Sequence, residues 1–213
     1  MSIRVERSHV HPPGDGQGGA AGGQPVAVRL AGLVLAAGAA AWAVGTVIVG
    51  DKVSEGIVLT DTVTGMGYVA GLFCLVLVVL STRATGPRKG RAIPIALLVM
   101  LPGAFLFNLI SLGHQGKTYE ELPPWLMAVD ACWPLANLTM LVLGVAVAKV
   151  GVYRGFLRWQ FLFCGLWLPV SMAGQAIGGS ASAYVSAVWL LATYTILGLR
   201  LALRPADVRP SQA

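Results

Sequence analysis

Charged residues are scarce in this chain. Only 11% of its 213 residues are Asp, Glu, Lys or Arg, whereas 56% are hydrophobic. Soluble domains carry about 25% charged residues, and a chain of this length cannot hide so much apolar surface in one water-soluble core. The composition therefore predicts an integral membrane protein.

Motifs for catalysis and metal binding are also lacking. The sequence contains no HExxH, no GxSxG and no phosphate-binding loop. Its three cysteines, Cys74, Cys132 and Cys164, show no CxxC spacing, so we expect them to pack as small hydrophobic residues. His9 and His11 have no further ligands nearby. We expect no metal site and no cofactor.

Long apolar runs make up most of the remaining sequence. Each is long enough to cross a ~30 Å hydrocarbon layer as a helix, and helices satisfy their own backbone hydrogen bonds in lipid. The runs lie at 27–49, 62–82, 93–113, 124–149, 157–176 and 182–203. The loops between them are too short for a soluble domain. We predict an all-α domain of six transmembrane helices at 27–203, a disordered cytoplasmic tail at 1–26 and a short cytoplasmic tail at 204–213.

The positive charges alternate between the two ends of these predicted helices. Of 15 Lys and Arg residues, only Lys52 and Lys117 fall in the first and third loops, and the fifth loop has none. The positive-inside rule then places both termini in the cytoplasm. The net charge of +6 is thereby explained by anchoring to anionic lipid, so no nucleic-acid partner is expected. The Ala-, Gly- and Arg-rich composition favours a bacterial plasma (inner) membrane.

Small residues recur at four-residue spacing in several predicted helices. They are Gly32, Ala36 and Ala40; Gly67 and Gly71; Gly144 and Ala148; and Gly174 and Gly178. Without side-chain bulk, helices can approach each other closely. Because six helices have many internal interfaces, we expect packing within the chain rather than a dimer motif.

Three prolines, Pro102, Pro134 and Pro169, lie well inside predicted helices. Each lacks an N–H donor, so the carbonyl four residues earlier loses its helical partner. For Pro134 that carbonyl belongs to Asp130. Kinks are expected at all three positions.

Polar and aromatic side chains collect in the outer halves of the predicted helices. Asp130 is the only acid that we place inside a span, and it shares a helical face with Trp133 and Asn137. A buried carboxylate should face the helix bundle rather than lipid. We predict an outward-facing cavity with Asp130 in its wall. Its other candidate lining residues are Asn108, Ser111, His114, Trp133, Asn137, Trp167, Gln175, Tyr68 and Tyr184, with Trp42 nearby.

Three functions are compatible with this pattern. The first is binding of a small amphiphile, lipid or proton-coupled solute in the cavity. The second is an intramembrane enzyme acting on a hydrophobic, isoprenoid-like substrate, with Asp130 as the catalytic general acid and aromatic rings facing a developing cation. The third is a structural subunit that joins a protein partner in a larger membrane complex. A simpler role for Asp130 is an ion pair with His114 or Lys117.

Overall fold

The computed structural model describes residues 23–178 and 180–208, and 85% of the structure is helical. Apolar runs favour helices because each backbone donor finds its acceptor within the same segment. The helices are α1 (Gly23–Val49), α2 (Leu59–Ser81), α3 (Ala92–Ser111), α4 (Pro124–Asp130), α5 (Cys132–Val150), α6 (Leu157–Gly165), α7 (Trp167–Ile177), α8 (Ala181–Leu190) and α9 (Ile196–Leu203). A π-helical turn at Leu191–Thr195 joins α8 to α9.

Five helical stretches are long and apolar enough to cross a membrane. They are Pro25–Lys52, Leu59–Ser81, Arg88–His114, Pro124–Val150 and Ala181–Leu203. The number rises to six if the bent pair α6 and α7 is one span. The all-α class and the apolar character predicted from sequence are thus confirmed. The predicted N-terminal tail lies outside the described residues, except that α1 begins at Gly23, inside it.

The prolines explain two of the helix breaks. Pro169 cannot donate to the carbonyl of Gly165, and the chain bends by 44° at Leu166, between α6 and α7. Pro134 likewise cannot donate to the carbonyl of Asp130, and α4 ends there. Pro102, by contrast, lies within a continuous α3.

The helices form a closed ring in chain order. α1 packs on α2, α2 on α3, α3 on α5, α5 on α6, α7 on α8, and α9 returns to α1. Glycine makes the closing contact possible: a Cβ atom at Gly32 would lie 2.5 Å from the carbonyl oxygen of Gly198. Gly144 and Gly165 allow an equally close approach between α5 and α6. These small residues pack within the chain, as their spacing indicated.

The loops gather at two opposite ends of the ring. The N–H of Ile57 donates to the carbonyl of Lys117 at 3.0 Å, and the N–H of Gly116 donates to the carbonyl of Ile57 at 3.0 Å. These bonds join the loop after α1 to the loop after α3. At the other end, the hydroxyls of Thr82 and Tyr153 are 2.7 Å apart and join the loops after α2 and α5. We call these the acidic end and the basic end, after the charges in their loops.

Candidate functional site

Aromatic side chains from separate helices meet in the middle of the ring. Trp42 of α1 stacks on Tyr68 of α2, with ring centroids 4.7 Å apart. Trp133 of α5 and Trp167 of α7 each lie 5.1 Å from Trp42. Tyr194, in the π-helical turn, meets Tyr68 edge-on at 5.2 Å. We call these five residues the aromatic cluster; its contacts hold α1, α2, α5, α7 and the last helical stretch together.

A carboxylate lies beside this cluster. The indole Nε1–H of Trp42 donates to Oδ1 of Asp61 at 2.9 Å. Asp61 is half-buried in the first turn of α2, where the positive end of the helix dipole stabilises a negative charge. Its second oxygen, Oδ2, makes no hydrogen bond with any residue that the structure describes. That oxygen therefore remains available to another group.

A cavity of about 600 Å³ opens above the cluster at the acidic end, between α1, α2, α7 and α8. Trp42 and Trp167 form its aromatic wall. Its polar side chains are Thr46, Asp51, Asp61, Tyr119, Ser171, Gln175, Ser182 and Ser186. No Lys or Arg lines the cavity in the described part of the chain. Among the described residues, the wall therefore carries the Asp61 carboxylate without a neighbouring Lys or Arg in the lining.

Some polar groups near the cavity have hydrogen-bond partners among the described residues, and others have none. The hydroxyls of Ser171 and Ser186 are 3.0 Å apart and hydrogen-bonded. The buried Nε1–H of Trp167 has no hydrogen-bond partner within the described residues. The hydroxyls of Tyr68 and Tyr194 interact with each other below the cavity, within the aromatic cluster. The indole N–H of Trp167 is thus a donor that no described residue uses.

Tyr119 reaches the cavity mouth from the loop at the acidic end. Burial raises the pKa of its phenol above the usual range, and the nearby Asp130 and Asp61 raise it further. A negative phenolate would be repelled by both carboxylates. Tyr119 therefore stays protonated and can donate a hydrogen bond at the mouth.

Most of the aromatic residues that the sequence predicts at the site lie in contact with one another in the structure. Tyr68, Trp133 and Trp167 belong to the aromatic cluster, and Gln175 lines the cavity with Trp167. Tyr184 is not brought in, because its side chain is 57% exposed on the outer surface of α8.

Three of the four remaining predicted polar residues contact backbone carbonyls one turn earlier in the chain. The buried amides of Asn108 and Asn137 donate to the carbonyls of Ala104 and Trp133, each at 3.0 Å and each one turn back in its own helix. Nδ1 of His114 contacts the carbonyl of Ile110 at 3.2 Å in the same manner. Ser111 is buried, and its hydroxyl has no partner in the described residues. None of these side chains lines the cavity.

Asp130, which the sequence predicts to lie in a cavity wall, is not among the residues that line this cavity, whereas Asp61 is. Asp130 closes α4, is half-buried and makes no ion pair with His114 or Lys117 within residues 23–178 and 180–208. A signal for Asp61 existed in the sequence. Asp61, Gly65 and Tyr68 are spaced by four and three residues, so they share one face of α2.

Asp130→Asn should leave stability almost unchanged, because no ion pair within the described residues is lost. We expect a change in the free energy of unfolding of about 0.5 kcal/mol or less. Thermal unfolding of the purified variant in detergent measures this. A loss of several degrees in the midpoint would instead reveal a structural partner for Asp130.

Within the described residues, no three His, Cys, Asp or Glu side chains gather as metal ligands would. No protein-family model, curated protein or solved structure matches the chain.

Proposed function

We propose that this chain is a six-span membrane protein that binds a small amphiphile with a cationic group in the cavity at the acidic end. The observation that carries the proposal is the Asp61 carboxylate, which shares the cavity wall with Trp42 and Trp167 and, among the described residues, with no Lys or Arg. A ligand with a positive charge would complement the Asp61 carboxylate.

The chemistry of the wall favours an organic cation over a metal ion. Trp faces attract ammonium groups through the ring quadrupole, and they also pack against an apolar body. Ser171, Gln175, Ser182 and Ser186 supply neutral hydrogen-bonding groups elsewhere in the lining. The volume of about 600 Å³ lies in the range of small-molecule sites. A solute with one ammonium group and a ring or short alkyl body would use all three features.

The test compares three ligands of the same shape and different charge. Benzyltrimethylammonium is the cation, neopentylbenzene is its neutral isostere, and phenylmethanesulfonate is an anion of similar size. Isothermal titration with the purified protein should show binding of the cation at least about tenfold tighter than either analogue, which corresponds to ~1.4 kcal/mol. Equal binding of the neutral analogue, or no binding of the cation, would contradict the proposal.

We also propose that both termini face the cytoplasm of a bacterial cell and that the cavity opens outward. The distribution of Lys and Arg between the two ends supports this orientation. In a background without native cysteines, a cysteine replacing Lys52 or Lys117 should react with a membrane-impermeant maleimide added to intact cells. A cysteine replacing Arg88 should not. Labelling with the opposite pattern would invert the orientation.

A second candidate is an intramembrane enzyme on an isoprenoid-like substrate, with Asp61 in the role that the sequence assigned to Asp130. The free Oδ2 of Asp61 beside the aromatic cluster favours it. A proton from this carboxyl group would open an epoxide, an alkene of the same chain would attack the resulting cation, and loss of a proton would give a product of unchanged mass. Incubation of membranes with a polyprenyl epoxide, followed by liquid chromatography with mass detection, tests this route, because the isomeric product would differ from the epoxide in retention time. Recovery of the epoxide unchanged would exclude the enzymatic route for that substrate. Cation binding would then remain as the proposed function.

A further inference from the structure

A second groove lies at the basic end, on the outside of the ring between α1 and α2. Its volume is about 600 Å³, and aliphatic side chains such as Val28, Leu30, Val34, Leu77 and Val78 form most of its lining. It follows α1 from Pro25 to Val34, a length of roughly 14 Å at ~1.5 Å per residue. The groove thus extends from the end of the ring towards its middle.

The polar end of the groove is formed by Ser81 and Thr82, and Arg83 follows them directly. Arg83 has a φ angle of 53°, and it is the one described non-glycine residue with positive φ. The N–H of Ala84 donates to the carbonyl of Val79 at 3.1 Å, which closes α2 in a Schellman motif. Glycine is the usual residue at this position, because a Cβ atom disfavours the left-handed conformation.

The backbone conformation at position 83 favours glycine, so it does not explain why the residue is an arginine. A glycine would cap α2 with less strain, but it would place no charge beside the groove. Strained residues that persist in a structure point to a use for their side chains. The exposed guanidinium of Arg83 is the group that glycine would lack.

A further arginine adjoins the groove lining in the chain. Arg204 directly precedes the lining residue Pro205. Arg204 is exposed and forms no ion pair with a described residue, whereas Arg200 is paired with Asp207 at 3.2 Å. No acidic residue lines the groove in the part of the chain that the structure describes.

We propose that this groove binds an anionic phospholipid of the surrounding bilayer. One acyl chain would lie along α1 and α2, and the phosphate would be held by Arg83 with support from Arg204. Charge complementarity selects this occupant, since guanidinium groups bind phosphate through paired N–H donors and basic side chains near a membrane surface attract anionic lipid. A second copy of this chain would bring another set of arginines to the same rim. This site is independent of the cation site at the acidic end.

Native mass spectrometry and thermal unfolding of the full chain in mild detergent, with dioleoylphosphatidylglycerol or dioleoylphosphatidylcholine added, test the proposal. The wild-type protein should retain phosphatidylglycerol about tenfold better than phosphatidylcholine and should unfold at a higher temperature with it. Arg83→Gly should be at least as stable as wild type without lipid, because glycine suits a φ of 53°. It should nevertheless lose the preference for phosphatidylglycerol.

Arg91→Gln is the matched control, since it removes one exposed charge at the same end without touching the groove lining. It should keep the preference. Equal retention of both lipids by the wild type would overturn the proposal and indicate that uncharged lipid or a terminal segment of the chain covers the groove. An undiminished preference in Arg83→Gly, or a loss of its stability without lipid, would also overturn it.

Discussion

Asp61→Asn should weaken the binding of benzyltrimethylammonium at least about tenfold and leave the protein folded. A hydrogen bond or contact with a charged partner is worth about 1.5–3 kcal/mol, and each ~1.4 kcal/mol is a factor of ten in affinity. We expect the lower end of that range, because Asp61 is only half-buried and water screens part of its charge. The asparagine retains an oxygen that can accept the hydrogen bond from Trp42, so the helix contact is preserved.

Asp130→Asn provides the matched control for this prediction. It makes the same chemical change at a half-buried aspartate that does not line the cavity. Its affinity for the cation should stay within about twofold of the wild-type value, a difference of ~0.4 kcal/mol. If Asp130→Asn lost binding and Asp61→Asn kept it, the site would lie where the sequence first placed it, beside α4.

Gly198→Ala should cause a large loss of stability. A Cβ atom there would lie 2.5 Å from the backbone nitrogen of Ala36 and 2.6 Å from the carbonyl oxygen of Gly32. Both are backbone atoms, so α1 and α9 must move apart along their contact. We expect a loss of about 2–3 kcal/mol in the free energy of unfolding, measured by denaturant titration in mixed micelles.

Gly113→Ala is the corresponding control, because a Cβ atom at Gly113 would meet no atom within 4 Å. This variant should unfold at or above the wild-type midpoint, since alanine restricts the unfolded chain more than glycine does. If both variants were equally stable, α1 and α9 would not be in contact in the membrane, and the ring would be open.

Run length and composition were sufficient to predict the all-α, apolar character of the chain. The backbone of an apolar run has few alternatives to a helix in lipid, and the prolines and small residues add local information on kinks and close contacts. Pro169 illustrates this, since the bend follows directly from its missing donor. Such features depend on a few neighbouring residues, so the amino-acid sequence is sufficient to predict them.

The position of the carboxylate in the cavity could not be predicted in the same way. Asp61 lies one residue outside the predicted span at 62–82, so the sequence assigns it to a loop. In the structure α2 begins at Leu59, which places Asp61 in the first helical turn beside Trp42. The predicted and the observed start of α2 differ by three residues, and apolar character alone does not define a helix end to that precision. This difference decides whether Asp61 is assigned to a loop or to the site.

The orientation of the polar side chains could not be predicted from the sequence either. The amides of Asn108 and Asn137 donate to backbone carbonyls of their own helices. Any helical amide can form such a bond, so residue spacing does not reveal it. Tyr184 and Tyr194 lie on one helical stretch, yet Tyr184 is exposed and Tyr194 is fully buried. The π-helical turn at Leu191–Thr195 shifts the helical phase near Tyr194, so a regular 3.6-residue period does not describe this stretch.

The most direct test of cation binding is to locate a bound cation. Crystals of the protein soaked with 4-bromobenzyltrimethylammonium would reveal the bromine by its anomalous scattering. The account predicts a single strong peak in the cavity at the acidic end, with the ammonium group within about 6 Å of the Trp42 or Trp167 ring and in contact with the Asp61 carboxylate. A peak beside Asp130 or on the outer surface of the ring, with none in the cavity, would contradict it.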